Sequence, residues 1–423
     1  MGSDGTPRGL LIGREFAPIF WTQGLIAFGD HLLRNLTVFA IVYVFSAVEP
    51  MRASAQSSAV LAAYSAPYFL FSSIAGELID RADKAALARK LAAADLGIML
   101  LASVALLFES VAFVGFVLFL AGCRATVFSP LKFAILPEQL HRKTLLAATG
   151  YIEASSFVAV VGGQIIGGML GAQAGAVLLL AVAASGFLTS LAILPTGQST
   201  ATHSFDLNLA RGTWRIVHAA MGQKGVRHAI LSLSWFYAVG AVVTGQFATF
   251  ARNELDLPRD QAVGLLVIFS SGVLIGSLVA GWIGKGRIDA RHSWLKATLL
   301  AAFLVDLGFS ASSMVRVWID VFGLGLAAAA YAVPFQTILQ VAGPPERRGR
   351  DLAANNIVNA VFVVIALGVA LLLVDAGASI LTTFVMLGTI GLGVAFIEWH
   401  ATRSGDARQI DVDWNGAARG ELE

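Results

Sequence analysis

The sequence predicts an all-α polytopic membrane protein, and three observations carry that prediction. Hydrophobic residues make up 57% of the 423 and charged ones only 13%, too few to give a soluble globule its polar skin. Apolar runs of about 20 residues, the length that crosses ~30 Å of hydrocarbon, recur along the whole chain. Basic residues collect in alternate connections between those runs, as they do in proteins that thread a bilayer repeatedly.

Twelve runs are predicted as transmembrane helices: 17–46, 57–79, 91–108, 111–137, 145–172, 175–195, 228–251, 261–283, 294–313, 317–341, 352–374 and 378–399. The weakest boundary is the short Gly/Ala stretch around 171–176, where a merger would break the even count. With both termini cytoplasmic, 22 basic residues fall on the inner side. The outer side then holds Arg52, Arg252, Arg259 and Arg316, while Arg34, Arg124 and Lys132 stay within the runs. A missed helix would scramble this alternation. The expected division is a cytoplasmic tail over 1–16, a six-helix bundle over 17–195 and a cytoplasmic linker over 196–227. A second six-helix bundle over 228–399 and a cytoplasmic tail over 400–423 complete it. The first fifteen residues are polar and lack the features of a cleaved signal, so the first helix is expected to act as its own targeting signal. In the linker, FDLNLARGTWRIVHAAM at 205–221 mixes apolar and basic residues at helical spacing, which predicts a helix along the inner membrane surface.

Several function classes are excluded. A net charge of +2 without a basic block argues against nucleic acid. The single cysteine, Cys123, allows no internal disulfide and no zinc or iron–sulfur cluster, and is assigned to packing. No H-E-x-x-H, G-x-S-x-G or H-x-x-x-x-D pattern supports an enzyme, and no Walker lysine motif supports an ATP-driven pump.

The charges inside the runs are the functional candidates, because a charge at the centre of a membrane helix costs ~3 kcal/mol or more. The stretch 128–156, FSPLKFAILPEQLHRKTLLAATGYIEASS, carries Lys132 and Glu153 on two runs made antiparallel by the turn HRKT. Arg124 precedes it, and Asp30 follows Gly29 in the first run, where a substrate can approach its carboxylate. Structural readings stand beside these: Lys132 can pair with Glu153, Arg124 can anchor helix ends, and Arg34 can neutralise Asp30 at i,i+4. His31 is expected to be hydrogen-bonded to a neighbour, and Asp95 and Asp306 to be structural. The second half is polar but uncharged, through Gln246, Gln336, Gln340, Asn355, Asn356 and Asn359. A zwitterionic headgroup would suit the first half and an acyl chain the second.

The halves also read as repeats. FSPLKFAIL at 128–136 aligns with AVPFQTILQ at 332–340, placing Pro334 at Pro130 and Gln336 at Lys132. GYIEA at 150–154 aligns with NIVNA at 356–360, placing Asn359 at Glu153. Duplicated halves point to a transporter with its site at their interface.

Gly76-Glu-Leu-Ile-Asp80-Arg81-Ala-Asp-Lys84 resembles the loop 2–3 signature of the major facilitator superfamily, with Asp83 where that family has Gly. The resemblance implies the major facilitator fold, alternating access, and a conformational latch made of Gly76, Asp80 and Arg81. AFGD at 27–30, SPLKFAIL at 129–136, ATGYIEAS at 148–155 and VPFQTILQ at 333–340 resemble the bacterial lysophospholipid transporters of the LplT family. The chain departs from that pattern at His31, where Asn is frequent, at Arg34, in a part of the helix that is usually apolar, and at Gln246, near an expected Arg. Charge reasoning and resemblance together give a substrate site of Asp30, Arg124, Lys132, Glu153, Gln246, Gln336 and Asn356. The resemblance further implies a lysophospholipid substrate, no cofactor beyond a coupling Na+ or H+, and a separate lysophospholipid acyltransferase acting on the imported lipid. It also implies a monomer in the bacterial inner membrane. The runner-up is a proton-coupled exporter of drugs or other amphiphiles, followed by a membrane sensor that transports nothing.

Overall fold

The structure is a computed structural model that describes residues 7–41, 50–197, 209–257, 259–283, 290 and 292–403. Among them every regular element is helical. The first bundle comprises α1 (Ala17–Ala40), α2 (Pro50–Arg81), α3 (Lys84–Leu107), α4 (Val111–Ala134), the single turn α5 (Leu136–Gln139), α6 (Arg142–Met169) and α7 (Ala172–Ser190). A short helix α8 (Leu209–Met221) leads into the second bundle: α9 (Lys224–Asn253), α10 (Arg259–Ile283), α11 (Ser293–Leu307), α12 (Met314–Val341), α13 (Arg348–Asp375) and α14 (Ile380–Arg403). The twelve predicted runs therefore each lie on a long helix. Positions 42–46 of the first run, 1–6 and 404–423 of the two tails, 198–208 of the linker, and 284–289 and 291 of the loop after α10 lie outside the described residues.

Nine described spans are long and apolar enough to cross a membrane by length and composition. The others are α1, interrupted by Asp30, His31 and Arg34, α11, with 15 residues, and α10, of which Val267–Trp282 is the apolar stretch among the fully described residues. The helices outrun the apolar runs because unpaired backbone groups are costly in lipid, so hydrogen bonding continues into the polar flanks. At the weakest predicted boundary, Leu170 and Gly171 adopt extended backbone with ψ of 139° and 167°, which ends α6 and starts α7 as separate helices.

Local caps explain one departure from the signature loop. Asp83 stands at the N-cap of α3 with φ −59°, a conformation that needs no glycine. Its carboxylate accepts from the Ala86 amide at 2.9 Å and the Thr196 hydroxyl at 3.1 Å. Burial pushes this carboxyl up, but the Ala86 amide and the Thr196 hydroxyl outweigh it and hold the group below its ordinary value.

The two bundles meet through small residues in a pseudo-twofold arrangement. Gly76 of α2 lies against Ala353 of α13, and Gly281 of α10 lies against Ala147 of α6. The register of these contacts equates Ala147 with Ala353 and hence Glu153 with Asn359, as the repeat alignment does. Beside them, Tyr151 accepts from the Trp282 indole at 3.2 Å and Thr149 accepts from the Gln340 amide at 3.0 Å. All these contacts lie toward the end of the bundle that carries Asp80, where the halves are shut. The predicted linker helix forms as α8, with Ile216 and Ala220 buried and Trp214 exposed and stacked on His218. It packs on the adjoining ends of α2 and α13, and Arg215 forms an ion pair with Glu77.

Close backbone approach inside the second bundle depends on Gly272 and Gly276 of α10 and Gly325 of α12, where a Cβ would collide with the Phe322, Leu326 and Phe269 carbonyls respectively. Gly276→Val should therefore destabilise the bundle by about 1–3 kcal/mol, the usual cost of overpacking. A clear fall in the midpoint of thermal unfolding in detergent is expected, and an unchanged midpoint would refute the close contact.

Candidate functional site

Arg124 organises the first half. It projects from α4 and is 4% exposed, so its guanidinium needs acid partners. Asp30 of α1 supplies one through a charge-assisted hydrogen bond to Nη2. Asp95 of α3 supplies the other, its Oδ1 lying 3.2 Å from Nε in ion contact without hydrogen-bond alignment. The Tyr64 hydroxyl of α2 donates to the second Asp30 oxygen at 3.3 Å. Four helices thus converge on one charge pair. Asp95, expected to be structural, is an immediate partner of a predicted site residue.

This arrangement overturns the predicted Asp30–Arg34 neutralisation. The Asp30 carboxylate is committed to Arg124 and Tyr64, and Arg34 reaches only the Asp30 main-chain carbonyl, through Nε at 3.2 Å. Its Nη2 lies 2.8 and 3.0 Å from the two ring nitrogens of His31, hence across the imidazole face, and its guanidinium carbon sits 4.6 Å from the Tyr64 ring centroid. Nor does Arg124 anchor helix ends or the signature loop, because two mid-helix carboxylates hold it.

Two adjoining cavities follow. One of about 270 Å3 lies in the first half, against Asp30, His31, Arg34, Tyr64, Tyr68 and Lys132. The other, about 170 Å3, lies between the halves, against Lys132, Glu153, Tyr237, Gln336, Asn355 and Asn356. Lys132, Ser129, Ser156 and Val160 belong to both and form the threshold between them. Lys132 donates to Gln23 Oε1 at 3.3 Å and to the Ser156 hydroxyl at 3.2 Å. Among the described residues no ion pair joins it to Glu153. The alternative reading of a Lys132–Glu153 ion pair is not met: the two lie on the wall of one cavity, both half-buried.

Of the predicted second-half residues, Gln336 and Asn356 line this inter-half cavity, while Gln246 lines neither of the two. Asn359 occupies the repeat position of Glu153 but is turned into its own bundle, where it accepts from the Ser234 hydroxyl at 2.7 Å. Gln23, Tyr64, Tyr68 and Tyr237 escaped the sequence reading because neutral polar and aromatic side chains carry no signal within an apolar helix. A separate, almost wholly apolar cleft of about 430 Å3 lies in the second half among α9, α13 and α14, against Trp235, Phe362, Ile365 and Met386.

The residues predicted to form the latch sit at the shut end. Asp80 accepts from the Gly349 and Arg350 amides at 2.5 and 3.2 Å and from Arg350 Nε at 2.7 Å, so its carboxylate lies against the positive N-terminus of α13. Gly349 permits the approach, since a Cβ there would come 2.7 Å from the Asp80 carboxylate and 2.8 Å from Ile79. Arg81, next in the chain, is half-buried. Glu138 of α5 adds a second bridge, 2.6 Å from Lys84 in its own half and 3.6 Å from Arg348 in the other. Neither Gly349 nor Glu138 was legible beforehand, because their contacts across the halves join residues more than 200 positions apart.

Two six-helix bundles around charged cavities, bonded to each other at one end, have the architecture of a membrane transporter. The chain belongs to the Major Facilitator Superfamily, whose family model matches residues 24–367. It is 24% identical over 384 residues to the lysophospholipid transporter LplT of Yersinia pestis, covering 88% of this chain and 89% of the relative. Against the lysophospholipid transporter LplT of an Enterobacter species the identity is again 24%, covering 78% of this chain and 80% of the relative. In fold it is similar to the human organic anion transporter MFSD10, with a TM-score of 0.72 at 13% identity over 92% of this chain and 99% of that one. It is similar too to a bacterial homologue of the iron transporter ferroportin in an outward-facing state, with a TM-score of 0.70 at 15% identity, again over 92% and 99%.

Removing Arg124 would leave Asp30 and Asp95 buried without their cation, a loss of about 3–5 kcal/mol. Arg124→Met should therefore sharply lower the yield of folded protein, and adding Asp95→Asn should restore part of it. Equal yields from Arg124→Met and the parent chain would contradict the triad. At the latch, Gly349→Ala should displace Asp80 from the helix end, visible as increased alkylation of a cysteine placed on the inter-half face of α2.

Proposed function

We propose that the protein carries lysophospholipids, either lysophosphatidylethanolamine or lysophosphatidylglycerol, from the outer to the inner leaflet of a bacterial inner membrane by alternating access. The observation that carries this reading is Lys132: a membrane ammonium held by neutral partners, Gln23 and Ser156, and facing an unspent Glu153 across an inter-half cavity. A lipid phosphate fits the ammonium, and a headgroup amine or a coupling Na+ or H+ fits the carboxylate. The apolar cleft of the second half offers an acyl chain a surface free of charge. The likeness to proteins named lysophospholipid transporters over most of the chain supports the same substrate class.

In this reading Asp80 and Gly349 form the inner latch, which breaks when the cavity opens inward, and Gly76 gives α2 its close seat on α13. Both termini and α8 face the cytoplasm, and the transporter works as a monomer. A separate acyltransferase consumes the delivered lysolipid.

The test is uptake of labelled lysolipid by proteoliposomes, run beside efflux of cationic dyes. Lys132→Ala should cut uptake more than tenfold, because a charge-assisted hydrogen bond is lost from a dry site. Asp80→Asn should slow uptake while leaving lysolipid binding within a few-fold, since a charge at a helix end is worth ~0.3–2 kcal/mol. Dye efflux without lysolipid movement would replace this reading with an amphiphile exporter. Cysteine labelling from each side fixes the orientation, and finding 196–227 outside would sink the topology.

A further inference from the structure

One cation in the first-half cavity has no part in the site as described so far. Arg34 lies on the same wall of α1 as Asp30, half-buried and facing the 270 Å3 cavity that Lys132 also lines. Its contacts are the Asp30 carbonyl, the face of the His31 imidazole and the Tyr64 ring, none of which carries a formal negative charge. The nearby carboxylates are committed elsewhere, since Asp30 and Asp95 both serve Arg124. Lys132 approaches the cavity from α4, opposite, and likewise holds only neutral partners. Glu153 lies beyond Lys132, in the adjoining cavity. The first-half cavity therefore presents two cations, from two helices, neither of which forms an ion pair with an acid among the described residues. The aromatic and imidazole stack fixes the planar guanidinium, so a ligand would not have to order it.

We propose that Arg34 and Lys132 form a two-cation cradle for a phosphate ester, and that the cradle grades headgroups by the negative charge on their phosphate. A phosphate monoester carries close to two charges near neutral pH, a diester one, and a monoacylglycerol none. Arg34 engages one edge of the phosphate through its forked N–H donors while Lys132 supplies a point charge to the other. The proposal rests on the lysolipid reading and adds to it a residue and an order of preference. The shared chemistry is the phosphate ester, which a soluble ester could also present.

The experiment measures binding to the full chain in nanodiscs of zwitterionic lipid, using lysophosphatidate, lysophosphatidylglycerol and monoacylglycerol of one chain length. Affinity should fall in that order. Arg34→Gln should weaken lysophosphatidate about tenfold or more, abolish its lead over lysophosphatidylglycerol, and leave monoacylglycerol within about twofold, while Arg34→Lys should keep most of the lead. A lead that survives Arg34→Gln, or an equal loss for all three amphiphiles, would overturn the cradle. If Arg34→Gln does not fold, the unaltered protein decides: sn-glycerol 3-phosphate should displace lysophosphatidate, and failure to displace it would overturn the cradle without any variant. Loss of lysolipid affinity on Lys132→Gln but not on Arg34→Gln would remove the cradle and leave the lysolipid reading standing. Glycerol 3-phosphate binding as tightly as the lysolipid would keep the cradle and overturn the lipid reading.

Discussion

A guanidinium inside a bilayer must be neutralised, and most of the first half is arranged around meeting that demand for Arg124. Asp30 and Asp95 reach it from α1 and α3, and Tyr64 steadies the shared carboxylate from α2. A partner missing from this set would leave an uncompensated charge in a dry place, so the four helices are held in register by a penalty larger than any single packing contact. The same commitment decides what remains free. With both acids taken, Arg34 turns onto His31 and Tyr64, Lys132 rests on neutral partners, and Glu153 stays unpaired with Lys132. The charges paired within the protein and those left on neutral partners are thus sorted by which of them reach Arg124.

The shut end follows a different logic. Small residues bring α2 against α13 and α6 against α10 in matching register, and polar contacts close over these seats. Asp80, Glu138 and Gln340 each bond across the halves. In the proposed cycle this seam separates and re-forms, whereas the triad stays closed, because opening it would leave buried charges without partners. The helix α8 and its Arg215–Glu77 ion pair tie the connection between the bundles to this seam.

Much of the architecture was legible in the sequence because a bilayer imposes a length and a polarity on every span. Hydropathy gave the twelve helices and even the break at 170–171, and the motif around Asp80 gave a carboxylate against a helix end. Reasoning from helical spacing failed at Arg34. An i,i+4 offset makes Asp30 and Arg34 neighbours, but it says nothing of a third helix that outbids one of them. Asn359 shows the same limit: its repeat position is that of Glu153, while its side chain serves Ser234. Gly349 and Glu138 left no trace, since a glycine at a helix start and a glutamate in a loop are ordinary until their distant partners are known.

Membrane residence, helix number, the doubling of the bundle and the presence of costly intramembrane charges were therefore fixed by local composition, through the price hydrocarbon sets on polar groups. The partners of those charges were settled by interhelical packing. Which cations stay open to a ligand, which acids are consumed, and where the halves close depend on side chains brought together from positions tens to hundreds of residues apart, and no local periodicity encodes those distances.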